Sequence, residues 1–373
     1  MRVTCSPVVV RFGRLGDTVL LQPLLRKLSS RYGQPCQLLS LGGWSSVLFS
    51  AQPEVGVLIP LKTQYGPLWM RPGRWKAILA LSRLRDRPFH IAEPAFRTRT
   101  KLRPMLKLAG VPAENCQFIE DLPRRDDEHW LDWLSRFSNA TPPAFRERFE
   151  RGAGALCGAP VLRVSPAERI DCDRWLQSRG WAQRPLLLLQ PANKRTMRWN
   201  GVRAAADDVK SWPPERWAAL ARAMLERMPH AQLLFCGSPA EEGYLRQLVS
   251  FVRPATSAIS TAALPLGRLK ALLPSAHSMV SVDTGPAHLA AAVGCPLVVL
   301  FGGRSPRMWA PRSGLGSAVS VIGGLPQVQR IDQIEVATVV AAWRELLPRG
   351  VSRAVLAQGD RRLEQASSAL RAG

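Results

Sequence analysis

The chain has 373 residues, enough for two domains at roughly 100–200 residues each. With 46% hydrophobic and 21% charged residues it is too apolar for a disordered chain, and neither a collagen nor a coiled-coil composition is present. Lysine and arginine outnumber aspartate and glutamate 51 to 28, a formal charge of +23 that points to an anionic partner and says nothing about fold.

Val8–Phe12 is a short β-branched run, followed by Gly13-Arg14-Leu15-Gly16-Asp17. Apolar residues at 20, 21, 24, 25 and 28 then keep helical spacing up to Gly33, and Cys36–Leu41 predicts the next strand. Pro23 inside that helix either kinks it or marks its true start. Asn139–Cys157 and Pro160–Pro166, rich in Pro, Gly and Arg, read as a boundary. Beyond it, Leu186–Gln190 predicts a buried strand, Pro214–Met228 a helix and Gln232–Cys236 a strand. Helices around 240–251 and 266–273, the strand Ser278–Val282, a helix from Pro286 and the strand Leu297–Phe301 complete the pattern. The expected fold is α/β, two Rossmann-like doubly wound parallel-sheet domains facing an interdomain cleft. The expected domains are 1–165 and 166–350, with a C-terminal helical tail at 351–373.

Seven scattered cysteines without a C-x-x-C argue for a reducing compartment and against a disulfide framework or zinc site. The start of the chain has no apolar signal region. The apolar stretch 287–301 is broken by His288, Gly294 and Pro296 and falls short of the about 20 residues a membrane span needs. A cytoplasmic protein is expected, with its surface free to rest on the inner face of a membrane.

Three segments carry chemistry. In Asp283-Thr284-Gly285-Pro286-Ala287-His288, a strand ends and a helix begins, with Pro286 in the first turn, where its missing N–H costs nothing. The free N–H groups of Thr284, Gly285 and Ala287 form a phosphate-sized anion site, and His288 adds a contact. The competing reading makes Asp283 a helix cap and His288 an ordinary polar neighbour. In Gly13–Asp17, the two glycines Gly13 and Gly16 make a tight strand-to-helix turn, lacking the third glycine of a dinucleotide fingerprint and the Gly-Lys-Ser/Thr of a Walker loop. Asp17 is there either a cap or a carboxylate able to accept a proton. In the loop after Leu186–Gln190, Lys210 is the foremost cation for a diphosphate, with Lys194 behind it. Asp171-Cys172-Asp173 matches a metal-holding D-x-D, but it is read as the cap of a helix starting at Arg174, so no catalytic metal is expected.

Asp283–Ala291, together with Arg11–Asp17, Lys210-Ser211-Trp212-Pro213, Cys236–Glu241 and Phe301-Gly302-Gly303 with Trp309 and Pro311, resembles the heptosyltransferase family of lipopolysaccharide core synthesis, glycosyltransferase family 9. Five blocks in the family's order, from residue 11 to 311, carry the resemblance. It implies a GT-B fold and metal-independent, inverting transfer of heptose from ADP-heptose to a lipid-linked lipopolysaccharide acceptor, with no cofactor. Carried over by position, Asp17 is the general base, and Lys210, Thr284, Gly285 and His288 surround the diphosphate. Glu241 hydrogen-bonds the ribose and Asp283 orients the donor sugar or the loop. The chain departs from the family in reading Gln190-Pro191-Ala192 where many members have His-Pro-Gly, and in the long insertion between Lys194 and Asp208. A family member using another nucleotide sugar or acceptor is therefore the alternative.

Residues 62–103 hold eleven Lys/Arg and only two acids, Asp86 and Glu93, with Trp69, Met70 and Trp75 interleaved. For each arginine alone a solvated role is the simpler reading, and Trp75, Ile78 and Leu79 could equally be core. As a cluster, with Arg97, Arg99 and Lys101 as acceptor-binding candidates, it suits an anionic lipid-linked glycan and the membrane surface. A basic nucleic-acid-binding protein is the distant alternative. RNA-stacking motifs, zinc ligands and recognition helices are missing from the sequence, so nucleic acid is not an expected partner.

Overall fold

The computed structural model describes residues 4–61, 72–149, 158–193, 196–198, 201–202 and 207–346. Lys194, Trp69, Met70 and the tail 351–373 lie outside the described residues.

β1 (Val8–Arg11), β2 (Cys36–Leu41), β3 (Val55–Leu61), β4 (Phe89–Ile91) and β5 (Cys116–Phe118) form one sheet in the order β3-β2-β1-β4-β5, with every pairing parallel. β1 is buried along its whole length, as a central parallel strand covered on both faces must be. The short helix Leu15–Val19 follows, and a separate helix, Gln22–Tyr32, has Pro23 at its amino end and Gly33 at φ +69° as its stop. Pro23 therefore marks a true start: it cannot donate an N–H, and the first turn requires none. Val8, Val10, Phe12, Ile78, Leu81, Met105 and Leu106 belong to one core cluster, which sets the helices Pro72–Ser82 and Arg103–Leu108 on one side of this sheet.

The second sheet contains β6 (Leu186–Gln190), β9 (Gln232–Gly237), β10 (Ile259–Ala263), β11 (Ser278–Val282), β12 (Leu297–Phe301) and β13 (Val319–Gly323); between β6 and β9, β7 (Met197–Arg198) and β8 (Gly201–Val202) make a small antiparallel pair. The order β10-β9-β6-β11-β12-β13 is, counted from β6, the 3-2-1-4-5-6 order of a Rossmann sheet. Its core is built on Trp212 and Trp217, fully buried and edge to face at 5.0 Å.

The chain divides into two compact units. The first runs to Pro166 and also takes in Thr284–Ala292 and Ser305–Gly314; the second holds Ala167–Asp283, Val293–Arg304 and the chain from Leu315 on. No helix among the described residues is long and apolar enough to cross a membrane.

One expectation needs correction. Asp171-Cys172-Asp173 does not open a helix but lies in the middle of Pro166–Ser178, whose first turn already begins at Pro166. Asp171 is instead clasped by Arg268 through two bonds of 2.9 and 3.0 Å.

Candidate active site

β1 ends at Arg11, and the chain turns through Phe12 and Gly13 into Leu15–Val19. Asp17 folds back over this turn: the Arg14 N–H donates to its Oδ2 at 2.8 Å, and Arg11 Nη2 donates to its Oδ1 at 3.0 Å. Gly13 leaves the room, since a Cβ there would collide with Cβ of Asp17. The guanidinium of Arg11 is buried, lies 4.7 Å over the Trp130 ring and donates to the Ala92 carbonyl at 2.9 Å. Glu93, just past β4 and wholly buried, accepts from the Phe12 N–H at 2.7 Å, from Arg97 at 2.9 Å and from Arg11 at 3.4 Å. Neighbouring β1 and β4 are where the strand order reverses, and open α/β sheets bind ligands beyond the strand ends at such a switch point.

The electrostatics follow from these partners. Burial alone pushes the Asp17 carboxyl up. The Arg11 charge, the Arg14 N–H, the Arg11 hydrogen bond and His288 outweigh it, and the group sits below the usual carboxylate range. Asp17 thus closes the first turn of its helix as an ionised carboxylate, as the capping reading expects.

The helix Gly285–Ala292 packs against Leu15–Val19. A Cβ on Gly16 would stand 2.9 Å from Cδ2 of His288, and one on Gly285 would stand 2.8 Å from the Leu15 side chain. The space beside the Gly285 Cα is filled by Leu15, so a glycine at this position lets the two helices approach. His288 is buried beside Gly16, and Thr284 Oγ1 is buried without a hydrogen-bond partner. The N–H groups of this helix's first turn have no partner within the helix, as at any α-helix start.

In the second unit, Asp283 follows β11. Lys210 Nζ donates to its carbonyl at 2.8 Å and also to its carboxylate. Asp208, buried, accepts the Lys210 N–H at 3.1 Å and an Asn193 amide N–H at 2.7 Å. The Ile331 N–H donates to the Val209 carbonyl at 3.0 Å, and the Trp212 indole donates to the Ile334 carbonyl at 2.9 Å. Lys210 is therefore a fixed cation rather than a solvated one. Its ammonium has three donors, of which Asp283 takes two. Glu241 accepts both the N–H and the hydroxyl of Ser238 on one oxygen, Oε2, at 2.6 and 2.8 Å. Gln190 donates to the Ala192 carbonyl at 3.1 Å, while its Oε1 is buried without a partner.

Of the acceptor candidates, Arg97 turns inward to Glu93 and to the Phe12 carbonyl at 2.8 Å. Arg99 is exposed and Lys101 half-buried, neither with an acidic partner among the described residues. Sequence reasoning assigned no role to Arg11 or Glu93. The signal was an arginine closing an otherwise apolar strand, and one of only two acids in a strongly basic window.

Residues 178–335 match the model of glycosyltransferase family 9 (heptosyltransferase). The chain is 24% identical over 335 residues to lipopolysaccharide heptosyltransferase 2 of Escherichia coli, across 86% of this chain and 89% of that protein. The structure of E. coli ADP-heptose lipopolysaccharide heptosyltransferase II superposes with a TM-score of 0.65 at 21% identity, over 91% of this chain and 98% of that one. A family 9 glycosyl transferase from Veillonella parvula superposes at 0.68 with 16% identity, over 93% and 98%. The two parallel-sheet domains have the GT-B architecture of these structures, and over residues 178–335 the chain is similar to glycosyltransferase family 9.

Proposed function

We propose that the protein transfers a heptose from ADP-heptose to the inner core of a lipid-linked lipopolysaccharide acceptor, with inversion and without a metal ion. The observation that carries this is the Asp17 carboxylate, ionised and aimed by Arg11 at the switch point of the first sheet. In this reading residues 1–165 bind the acceptor and 166–350 the nucleotide sugar. The acceptor hydroxyl attacks the anomeric carbon as the bond to the diphosphate breaks, its proton passes to Asp17, and ADP leaves with the bonding pair. A carboxylate of low basicity takes that proton late, once the new C–O bond has made the hydroxyl acidic. The larger electrostatic task is the charge gathering on ADP, which in this reading falls to Lys210, Thr284, His288 and the free N–H groups of the first turn of Gly285–Ala292. Glu241 has Oε1 left for a ribose hydroxyl, and Asp283 holds Lys210 in position.

The donor and acceptor of the named relatives support this substrate pair, and a cytoplasmic enzyme working at the membrane face follows from the acceptor. Gln190, standing where many family members have histidine, favours a second reading in which another nucleotide sugar is the donor; a donor panel with purified enzyme separates the two. For the base, Asp17→Ala is expected to abolish transfer while ADP binding by calorimetry stays within threefold. Loss of both, or of neither, would remove Asp17 from this role. Transfer is expected to persist in a chelator.

A further inference from the structure

The first unit has a surface that the transfer chemistry leaves unused. Helices Pro72–Ser82 and Arg103–Leu108 pack against each other on one side of the first sheet, and their inward residues, Ile78 and Met105 among them, join its core. Their outward residues break the usual polar pattern of a solvent face. Trp75 is 48% exposed and Leu79 55%, one helical turn apart on the same stripe, and Leu108 on the neighbouring helix is 55% exposed. Both helices are free of acidic residues. Arg103 is matched by Glu120 at 2.7 Å, whereas the exposed Lys76 and Lys107 have no acidic partner among the described residues. A scattered apolar side chain on a soluble surface needs no explanation, but an exposed tryptophan–leucine stripe flanked by uncompensated lysines does.

We propose that this outer helix layer docks the protein on an anionic lipid bilayer. Trp75, Leu79 and Leu108 enter the headgroup region, and Lys76 and Lys107 lie against lipid phosphates. Tryptophan favours the membrane–water boundary, and lysines draw a surface toward an anionic leaflet; together they supply two weak anchors of different kind, which is what reversible attachment needs. The inference deepens the lipid-linked acceptor reading by naming the face that meets the lipid, but docking itself needs neither donor nor acceptor.

The test is co-sedimentation of the full chain with phosphatidylethanolamine–phosphatidylglycerol vesicles and with phosphatidylcholine vesicles, without substrates. Binding is expected to be at least tenfold tighter to the anionic vesicles and to weaken in high salt. Trp75→Ser with Leu79→Ser, and separately Lys76→Glu with Lys107→Glu, are each expected to reduce it at least fivefold with unchanged circular dichroism and melting. Arg169→Glu with Arg227→Glu, the same charge change on exposed sites of the second unit, is expected to reduce it less than twofold. Equal binding to both vesicle types, or an equal loss in the control variant, overturns the proposal. Transfer to a lipid-free acceptor is read separately: if it stays intact while vesicle binding fails, the docking face is wrong and the enzymatic reading stands.

Discussion

At the scale of single residues, the site depends on a side chain that never meets the substrate in the proposed reaction. Arg11 keeps Asp17 ionised against burial, which by itself would raise the carboxyl pKa. Arg11→Met should therefore move the acidic limb of the kcat/KM profile upward by a pH unit or more, while Arg11→Lys, which retains the charge, should return most of it. The wild-type limb should lie below the usual aspartate range. The same acidic limb in all three enzymes would show that Arg11 does not tune the base. Glu93 stands one step further back, buried between Arg11 and Arg97. Glu93→Gln removes the charge that faces the half-buried Arg97 and, at 3.4 Å, the buried Arg11, which keeps Asp17 and the Ala92 carbonyl; it should cost about 1–3 kcal/mol in urea unfolding.

At the scale of elements, close backbone approaches hold the Lys210 loop. A Cβ on Gly302 would lie 2.6 Å from the Val209 carbonyl and 2.7 Å from the Ile331 nitrogen, both backbone atoms that cannot swing aside. Gly302→Ala should therefore displace the residue next to Lys210 and weaken ADP binding at least tenfold in calorimetry. Gly243 is the contrast: it lies in the helix Glu242–Ser250 with open space around it, so Gly243→Ala should stabilise by about 0.5–1 kcal/mol and leave ADP affinity unchanged. Equal ADP affinity in the two variants would sever Gly302 from the site. The sequence revealed β1, β2, β6, β9, β11 and β12, because strands buried on both faces read as unbroken apolar runs. It did not reveal β4 or β5, whose three residues each are too few for a period, or β3, β10 and β13, edge strands only partly buried. The turns that carry Asp17 and Thr284 were legible because turn chemistry is local. The Arg11–Glu93 clamp was not, since it joins positions 82 apart that only the parallel pairing of β1 and β4 brings together.

At the scale of the whole molecule, acid should attack the first unit through two histidines. His129 accepts the Leu131 N–H on Nδ1 at 3.1 Å and bonds the Ala310 carbonyl through Nε2 at 2.9 Å. One partner needs an acceptor and the other a donor, so the ring is held neutral with its proton on Nε2. Burial, with Arg312 nearby, pulls its pKa down to about 4 against the Ala310 bond and Asp132; burial pulls His90 down to about 3. A folded-state value below the unfolded one means that the unfolded chain binds more protons. Stability must then fall as pH drops below about 6.5, by up to about 1.4 kcal/mol per pH unit for each group, until the folded values are reached. Glu54 opposes this: burial raises its carboxyl, so it takes up a proton in the folded state and gains stability as pH falls. The wild-type slope is thus a composite, and His129→Gln isolates one contribution. Urea midpoints at pH 7 and pH 5 should differ less in that variant than in the wild type, with exchange protection of the helix Trp130–Phe137 falling first in the wild-type protein. An unchanged difference between the two midpoints would mean that His129 takes up its proton without straining the fold.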